Sequence, residues 1–346
     1  MSSSSSSESS SANGQWYPPE WPERIRALAA GEITPVTPRL AATVMLLRDG
    51  GGAAPGPEVH MLRRRTSMAF AGGAYAYPGG GVDPRDEHWG GGEQSAVDEP
   101  AEERPAVGES AGRQPYGERP FAERRSGGRP DDGWAGPSRR EWAERFGTDE
   151  ATAQAIVCAA VRETFEEAGV LLAGPDATSV VGDTTGEDWE RDRAALADHE
   201  LSFADFLDRR GLVLRSDLLG AWAHWITPEF EKRRYDTWFF VAALPDGQRT
   251  RNASTEADRT VWTRPAEAAE GYDRGELLMM PPTIATLRQL ASFRTAGEAL
   301  AASEARDLAP VLARARLENG QVVLSWPGYD EFTKRVDTRD GEGGPA

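Results

Sequence analysis

One helix constrains this chain more than any other segment: residues 149–169, DEATAQAIVCAAVRETFEEAG. At about 100° per residue, an apolar face that includes Val161 and Phe165 lies opposite an arc of acidic side chains. The acidic side chains are Glu163, Glu166 and Glu167. We therefore predict an amphipathic helix that ends at Gly169, with a hydrophobic core on one side and an acidic patch on the other.

The acidic patch violates two local rules of helix stability. Like charges three and four residues apart repel each other, and the last turn of a helix favours cations rather than anions. A divalent cation would resolve the conflict, because Mg²⁺ takes carboxylate oxygens and commonly retains waters and substrate phosphates. A solvated surface helix on which Arg162 pairs locally fits the same pattern. The helix alone leaves both interpretations open.

Strand signals stand on both sides of this helix. Residues 39–49 and 58–65 predict a β-hairpin, and 73–84 (GAYAYPGGGVDP) predicts a short strand that runs into a glycine turn. Further along, the sequence predicts strands at 220–228, 235–244 and 259–265, a helix at 281–293 and a hairpin at 315–326. Strands come first and last, without regular βαβ alternation. This order predicts an α+β fold, an α/β/α sandwich with a mixed β-sheet between helices.

Two long segments interrupt the pattern. Residues 85–138 are rich in Gly, Pro and charge and lack periodicity, so we predict a disordered insertion. Residues 184–211 predict a helical insertion. The Ser-rich residues 1–14 and residues 336–346 are predicted to be disordered tails. A single domain would then span residues 15–335.

Composition narrows the classes of function. The formal net charge of −17 disfavours a general nucleic-acid or anionic-membrane binder. Cys158 is the only cysteine, which excludes an intrachain disulfide and a thiolate metal cluster. No apolar run approaches the ~18 residues that a membrane span needs. We expect a cytoplasmic protein that acts on a small molecule; the sequence does not determine its oligomeric state.

The acidic helix and the glycine run together resemble the Nudix hydrolase signature, G-x5-E-x7-R-E-U-x-E-E-x-G-U, where U is aliphatic. Residues 162–170 (RETFEEAGV) match its second half, except that Thr164 stands at an aliphatic position. Gly80 best matches its first glycine. Because Gly80 and Arg162 are 82 positions apart, an insertion splits the motif, and the first glutamate has no secure counterpart. The split resembles the branch of the peroxisomal coenzyme A and acyl-CoA diphosphatases.

The resemblance implies a Nudix fold and specific roles for the acidic residues. The implied ligands of Mg²⁺ or Mn²⁺ are Glu163, Glu166, Glu167 and Glu256. Glu166, Glu167 and Glu256 are the implied catalytic residues, with Glu167 or Glu256 as general base. Arg162 is interpreted as a structural brace. Our candidates for substrate binding are Gly79, Gly80, Arg64, Arg65 and Arg234.

Three functions remain open from the sequence. The leading hypothesis is hydrolysis of coenzyme A or acyl-CoA to 3′,5′-ADP and (acyl-)4′-phosphopantetheine. The second keeps the chemistry but takes ADP-ribose, NADH or another nucleoside diphosphate derivative. The third is a Nudix module that senses a nucleotide without hydrolysing it. Among the histidines, only His224 lies in a predicted strand near the presumed site, where a structural role is commoner than a catalytic one.

Overall fold

The computed structural model describes residues 20–51, 56–68, 71–87, 130, 132–318, 321–325 and 334–336. The strands, in chain order, are β1 (Arg39–Asp49), β2 (Pro57–Arg64), β3 (Tyr75–Ala76), β4 (Gly79–Gly81), β5 (Trp134–Ala135), β6 (Ala173–Gly174), β7 (Val213–Arg215), β8 (Gly220–Ile226), β9 (Tyr235–Ala243), β10 (Ala257–Thr263), β11 (Val311–Leu312), β12 (Arg314–Glu318), β13 (Gln321–Ser325) and β14 (Lys334–Val336). The helices are α1 (Trp21–Ala29), α2 (Arg139–Phe146), α3 (Glu150–Ala168), α4 (Glu187–Ala197), α5 (Phe203–Arg210), α6 (Pro265–Asp273), α7 (Pro281–Leu290) and α8 (Ala296–Ala302). None of the helices in these described ranges is long and apolar enough to cross a bilayer.

An eight-stranded mixed sheet forms the centre of the molecule. Its strand order is β10-β2-β1-β9-β8-β11, with β3 paired to β2 and β4 paired to β1. The β1–β9 and β8–β11 pairs are parallel, and the other pairs in this sheet are antiparallel. Two three-stranded sheets accompany it, β5-β7-β6 and β12-β13-β14. The mixed sheet that we predicted is confirmed.

Each face of the central sheet carries its own hydrophobic core. Phe165 of α3 and Phe206 of α5 pack with Phe240 on one face. Ile25 of α1 and Leu287 of α7 belong to the core on the opposite face. Because both faces are covered, the sheet is the middle layer of an α/β/α arrangement. The sequence patterns did not predict α1, α6 or α8, which are short.

The predicted helix α3 and both predicted hairpins are present. Asp149 caps the start of α3, where its Oδ1 accepts a hydrogen bond from the Thr152 amide at 2.9 Å. Gly169 ends α3 with a φ of 70°, a left-handed conformation that suits glycine. The strands β1 and β2 pair antiparallel, as do β12 and β13.

The glycine run differs from its prediction. Residues 79–81 were expected to form a turn, but they form β4, which pairs antiparallel with β1 in a register that places Gly80 opposite Ala42. The physical reason lies in β1, because β2 covers only its end at residues 47–49. The rest of that edge of β1 requires a hydrogen-bonding partner, and β4 supplies one over residues 41–43.

We predicted that residues 85–138 form a disordered insertion, but the structure is ordered at both ends of this range. Residues 84–87 form a 3₁₀ helix, and Trp134 lies buried in β5, where its indole donates to the Pro137 carbonyl at 2.7 Å. Asp86 near the start of the range and Trp134 near its end are both buried, so these residues belong to the folded core. Residues 88–129 and 131 lie outside the described residues, as do the predicted tail 1–14 and residues 337–346. The segment 184–211 contains α4 and α5.

Candidate active site

The acidic end of α3 is buried rather than solvated. Glu166 is only 8% exposed, and almost the whole circumference of the helix from residue 153 onward is covered by neighbouring elements. The interpretation of a solvated surface helix is therefore wrong. The three glutamates lie along one cleft, which is bounded by β4, the turn after α4 and the loop 253–256. The cleft has a volume of about 520 Å³.

The glycines of β4 allow close approach from two different sides. A Cβ at Gly79 would lie 2.5 Å from the Ala42 carbonyl oxygen of the paired strand β1, and a Cβ at Gly80 would lie 2.5 Å from the carboxylate of Glu163. The Gly79 amide donates a hydrogen bond to Glu167 Oε2 at 2.8 Å. Gly79 thus permits the close pairing with β1, and Gly80 leaves room for the Glu163 carboxylate against the strand.

Arg162 is tied to four acceptors at the base of the cleft. Its Nε donates to Asp86 Oδ2 at 3.2 Å, its Nη2 donates to the Gly81 carbonyl at 2.7 Å, and its Nη1 donates to Glu163 and Glu166. Burial acts to lower the pKa of Arg162, but the surrounding carboxylates outweigh it and raise that pKa. Arg162 is a permanent cation that joins α3 to β4 and to the 3₁₀ helix. These contacts are compatible with a structural brace, and that role of Arg162 stays a prediction.

Asp86 is the functional residue that sequence reasoning missed. It lies within the segment that we predicted to be disordered, and no counterpart of the first motif glutamate was identified. The signal was present, however, because Asp86 is the sixth residue after Gly80, which is the spacing G-x5-E of the signature, with Asp in place of Glu. Its side chain is 3% exposed and faces Arg162. Burial raises the pKa of Asp86, and Arg162 opposes that shift.

Thr164 stands at the aliphatic position of the motif and is accommodated without an unpaired hydroxyl. It is fully buried, and its Oγ1 donates to the Ala160 carbonyl one turn earlier at 2.7 Å. Because the buried hydroxyl forms a hydrogen bond within its own helix, the replacement of an aliphatic residue by threonine costs little free energy of folding.

Burial controls the protonation of the glutamates. It raises the pKa of Glu163 to about 7 and that of Glu167 to about 8, and it also raises the pKa of Glu166. For Glu167, the nearby Glu163 carboxylate adds to the increase, whereas the hydrogen bonds from Gly79 and Ser254 oppose it. Several carboxylates therefore share a desolvated cleft in which their mutual repulsion is only partly neutralised by Arg162.

Glu256 enters the cleft from the loop before β10, opposite α3. Its carboxylate lies 3.5 Å from Arg64 Nη2, and its amide donates to Ser254 Oγ at 3.1 Å. Ser254 in turn donates to Glu167 Oε1 at 3.1 Å. The structure thus brings Glu256 into the same cleft as the glutamates of α3.

The basic candidates for substrate binding have different locations. Arg64 borders the cleft through its contact with Glu256, whereas Arg65 is exposed and contributes its amide to the Glu256 carbonyl at 2.8 Å. Arg234 is not brought to the cleft. It is 8% exposed, and its guanidinium donates to the carbonyls of Thr227 and Val36, which makes it a structural residue.

The histidine that lines the cleft is His199, in the turn between α4 and α5, rather than His224. His224 pairs with Asp236 and stacks on Trp238 at 4.0 Å between ring centroids. No strand or helix pattern singled out the turn that carries His199. Its position follows from the packing of α4 on α3, where Arg193 donates to the Glu166 carbonyl at 2.8 Å.

The acidic residues of the cleft fit a divalent cation by their chemistry. Carboxylate oxygens are the ligands that hard cations prefer. Burial raises the pKa of Glu163 and Glu167, with a smaller contribution from the neighbouring carboxylates, and a bound cation would favour their charged forms. Within the described ranges, no three His, Cys, Asp or Glu side chains are already grouped as a metal cage. Their oxygens instead accept hydrogen bonds from Arg162, Gly79 and Ser254.

The sheet, the split motif and the glutamate cluster define a protein of the Nudix hydrolase class. The family model described as the NUDT19 Nudix domain matches residues 38–290, more than half of the chain, so the chain belongs to this family. This membership confirms the family that we predicted from the split motif.

Curated relatives and a solved structure agree with this assignment. The chain is 25% identical to the acyl-coenzyme A diphosphatase NUDT19 of Xenopus laevis, over 81% of this chain and 72% of that protein. It is 34% identical to the Homo sapiens protein of the same name, over 40% of this chain and 39% of that protein. A crystal structure of a NUDIX hydrolase from Alicyclobacillus acidocaldarius aligns with a TM-score of 0.54 and 24% identity, over 80% of this chain and 99% of that one. The structural match confirms the fold.

Proposed function

We propose that this protein is a metal-dependent diphosphatase that hydrolyses coenzyme A or acyl-CoA to 3′,5′-ADP and (acyl-)4′-phosphopantetheine. The observation that carries the proposal is the cluster of Glu163, Glu166 and Glu167 against the glycine strand β4, with Glu256 lining the same cleft. The relatives named acyl-coenzyme A diphosphatase support the substrate class.

The proposed ligands of Mg²⁺ or Mn²⁺ are these four glutamates. Such a cation, when bound, neutralises the diphosphate and lowers the pKa of the attacking water. Gly79 and Gly80 line the cleft and remain our proposed contacts for the diphosphate. Arg162 holds Glu163 and Glu166 in place through hydrogen bonds of 2.7 and 3.2 Å, and it acts as a positioning residue.

Two residues are candidates for the general base. Glu167 is buried, with a pKa near 8, and hydrogen bonds from Gly79 and Ser254 fix its orientation. Glu256 is more exposed, lines the same cleft and lies beside Arg64. In either case the carboxylate accepts a proton from water as the water oxygen attacks phosphorus, and the phosphoric anhydride bond breaks. The second phosphate leaves with its bridging oxygen.

The decisive experiment compares substrates. Purified protein with Mg²⁺ or Mn²⁺ is incubated with coenzyme A, an acyl-CoA, ADP-ribose and NADH, and the products are identified by mass spectrometry. We expect 3′,5′-ADP and phosphopantetheine. AMP from ADP-ribose or NADH at a higher kcat/KM would instead support the alternative substrates, and binding without turnover would support a sensor.

Variants of the two candidate bases test the roles of the residues. Glu167→Gln keeps the size of the side chain, and its amide can still accept from the Gly79 amide and donate to Ser254 Oγ, which then acts as acceptor. We therefore expect the fold to persist and kcat/KM to fall by about 10²–10⁴-fold. A comparison with Glu256→Gln shows which residue controls the pH–rate profile. Glu144→Gln, an exposed residue of α2, is the matched control. Full activity of Glu167→Gln would refute its assignment. We also propose a cytoplasmic location, which cell fractionation tests.

A further inference from the structure

The cleft holds few cations that are free to meet a polyanionic substrate. Among the described residues that line it, only Arg162, Arg193 and His199 can carry positive charge. The Arg162 side chain is 5% exposed, and its guanidinium already donates hydrogen bonds to Asp86, Glu163, Glu166 and the Gly81 carbonyl. The Arg193 side chain is 10% exposed and bonds to Glu190 and to the Glu166 carbonyl. His199 is different, because its side chain is 70% exposed.

The imidazole of His199 is held in place from one side. Arg85 donates from Nη1 to the His199 carbonyl at 3.2 Å, and its Nη2 lies 3.3 Å from His199 Nδ1. A guanidinium can only donate, so Nδ1 accepts and the proton of the neutral ring lies on Nε2. Asp83 Oδ2 is 3.4 Å from Nδ1, and the same oxygen accepts from Arg85 Nη2 at 2.5 Å. Within the described ranges, Nε2 has no hydrogen-bond partner.

The backbone of His199 is also specialised. Its φ is 57°, a left-handed value that non-glycine residues seldom adopt, and it sits in a tight turn closed by bonds from residues 199–201 to α4. Such strain persists only where the surrounding structure enforces it, and it clusters at functional sites. Here the strain presents the imidazole at the mouth of the cleft, beside the residues that follow β4.

We propose that His199, oriented by Arg85, binds a phosphate monoester of the substrate, the 3′-phosphate that coenzyme A carries in addition to its diphosphate. This inference rests on the proposed function. The 3′-phosphate and the diphosphate are attached to the same ribose, so a donor at the mouth of the cleft can reach one while the other lies at the proposed metal ligands. The exposed Nε2–H donates to the phosphate, and the α4–α5 turn thereby selects 3′-phosphorylated substrates.

The test uses two substrates that differ in one phosphate. Steady-state kinetics are measured on coenzyme A and 3′-dephospho-coenzyme A for the wild type, His199→Asn and His199→Gly. Both replacements tolerate a left-handed backbone, so the turn is preserved. We expect the wild type to favour coenzyme A through a lower KM, and both variants to lose about tenfold on coenzyme A but little on the dephospho substrate.

Controls separate binding from structural effects. Glu200→Gln alters an exposed residue of the same turn and is expected to leave the ratio of the two substrates unchanged. Arg85→Gln is expected to weaken the preference because it removes the group that orients Nδ1. Equal losses on both substrates, or no preference in the wild type, would overturn the inference.

A binding measurement keeps this test separate from the proposed function. Calorimetry compares 3′,5′-ADP with 5′-AMP for the wild type and His199→Asn. Tighter binding of 3′,5′-ADP that disappears in the variant supports the inference even if coenzyme A is not turned over, whereas equal affinities contradict it. Absence of turnover on both coenzyme A substrates would count against the proposed function alone.

Discussion

Asp86 and Arg162 form a buried ion pair across the insertion that splits the motif. They are 76 positions apart, yet Asp86 Oδ2 accepts a hydrogen bond from Arg162 Nε at 3.2 Å, and the two side chains are 3% and 5% exposed. The pair joins the segment after β4 to the acidic end of α3. Both halves of the motif are thereby held together in the folded core.

Removal of the Asp86 carboxylate is expected to destabilise the protein. Asp86→Ala leaves a buried guanidinium with one partner fewer, which costs about 3 kcal/mol of the free energy of unfolding. Asp86→Glu retains the charge and matches the family signature, so we expect a smaller loss. Urea denaturation measures both. Glu144→Gln, in an exposed ion pair of α2, serves as the control and should leave the midpoint unchanged. Equal stability of Asp86→Ala and the wild type would contradict the role of the pair.

Arg193, which lies in α4 of the helical insertion, is expected to stabilise the acidic end of α3 and thereby to support activity. The last turn of α3 contains no basic residue, and Arg193 of α4 supplies a cation there by donating to the Glu166 carbonyl at 2.8 Å. We expect Arg193→Gln to lower the free energy of unfolding by about 1–2 kcal/mol and to reduce kcat. Arg191→Gln, an exposed residue of the same helix, is the matched control. If both variants behave alike in thermal denaturation and kinetics, α4 does not support the site through this contact.

The stability of the metal-free protein is expected to fall as the pH rises. Burial raises the pKa of Glu163 to about 7 and that of Glu167 to about 8, above the value of an unfolded glutamate. The folded state therefore retains protons that the unfolded state has lost, and each costs about 1.4 kcal/mol per pH unit over that window. The contribution of these two groups to stability is fully present below about pH 4.5 and is lost as the pH rises through about 7 for Glu163 and about 8 for Glu167.

Thermal denaturation in EDTA between pH 6.5 and 8 measures this dependence. Glu167→Gln should flatten the decline because its side chain has no proton to lose. Added Mg²⁺ or Mn²⁺ should restore the melting temperature at pH 8, since a cation that binds only the folded state stabilises it. A melting temperature that rises with pH in EDTA would contradict the prediction, because ionisation of Glu163 and Glu167 would then not destabilise the folded state.

We expect buried His60 to lower the free energy of unfolding at acidic pH. It is 1% exposed in β2, packs against Trp262 at 5.2 Å between ring centroids, and has no hydrogen-bond partner on either ring nitrogen among the described residues. Burial lowers its pKa to about 4, and the charge of Arg48 acts in the same direction. The unfolded state therefore binds a proton that the folded state rejects.

This contribution is present above about pH 6.5 and decreases as the pH falls towards 4, by up to about 3 kcal/mol. His60→Phe keeps an aromatic ring without a titratable group, so its unfolding free energy should depend less on pH in this range. Urea denaturation at pH 7, 5.5 and 4.5 provides the comparison. Parallel profiles for the variant and the wild type would exclude His60 as the cause.

The sequence predicted correctly those helices and strands whose signals lie within one short stretch of the chain. The apolar periodicity and Gly169 determined α3, and the two β-rich runs at 39–49 and 58–65, separated by a Gly- and Pro-rich stretch, determined the β1–β2 hairpin. The spacing of Glu163, Glu166 and Glu167 placed them on one face because helix geometry is local.

Other features depended on distant parts of the chain. The glycine run became β4 because β2 leaves part of β1 unpaired. Arg234 looked like a substrate ligand, but its charge satisfies the carbonyls of Thr227 and Val36. His199 had no recognisable pattern, because a turn acquires a role only from what packs beside it.

By itself, then, the sequence determined a split family motif, whose acidic second half lies on an amphipathic helix, and a mixed sheet. Tertiary structure alone decided that the acidic face is buried, that Asp86 completes the brace around Arg162, and that α4 and α5 place His199 at the mouth of the cleft. The physical reason is that desolvation and long-range pairing arise only when distant segments pack together. Charge and periodicity along a chain do not specify which neighbours will exclude water.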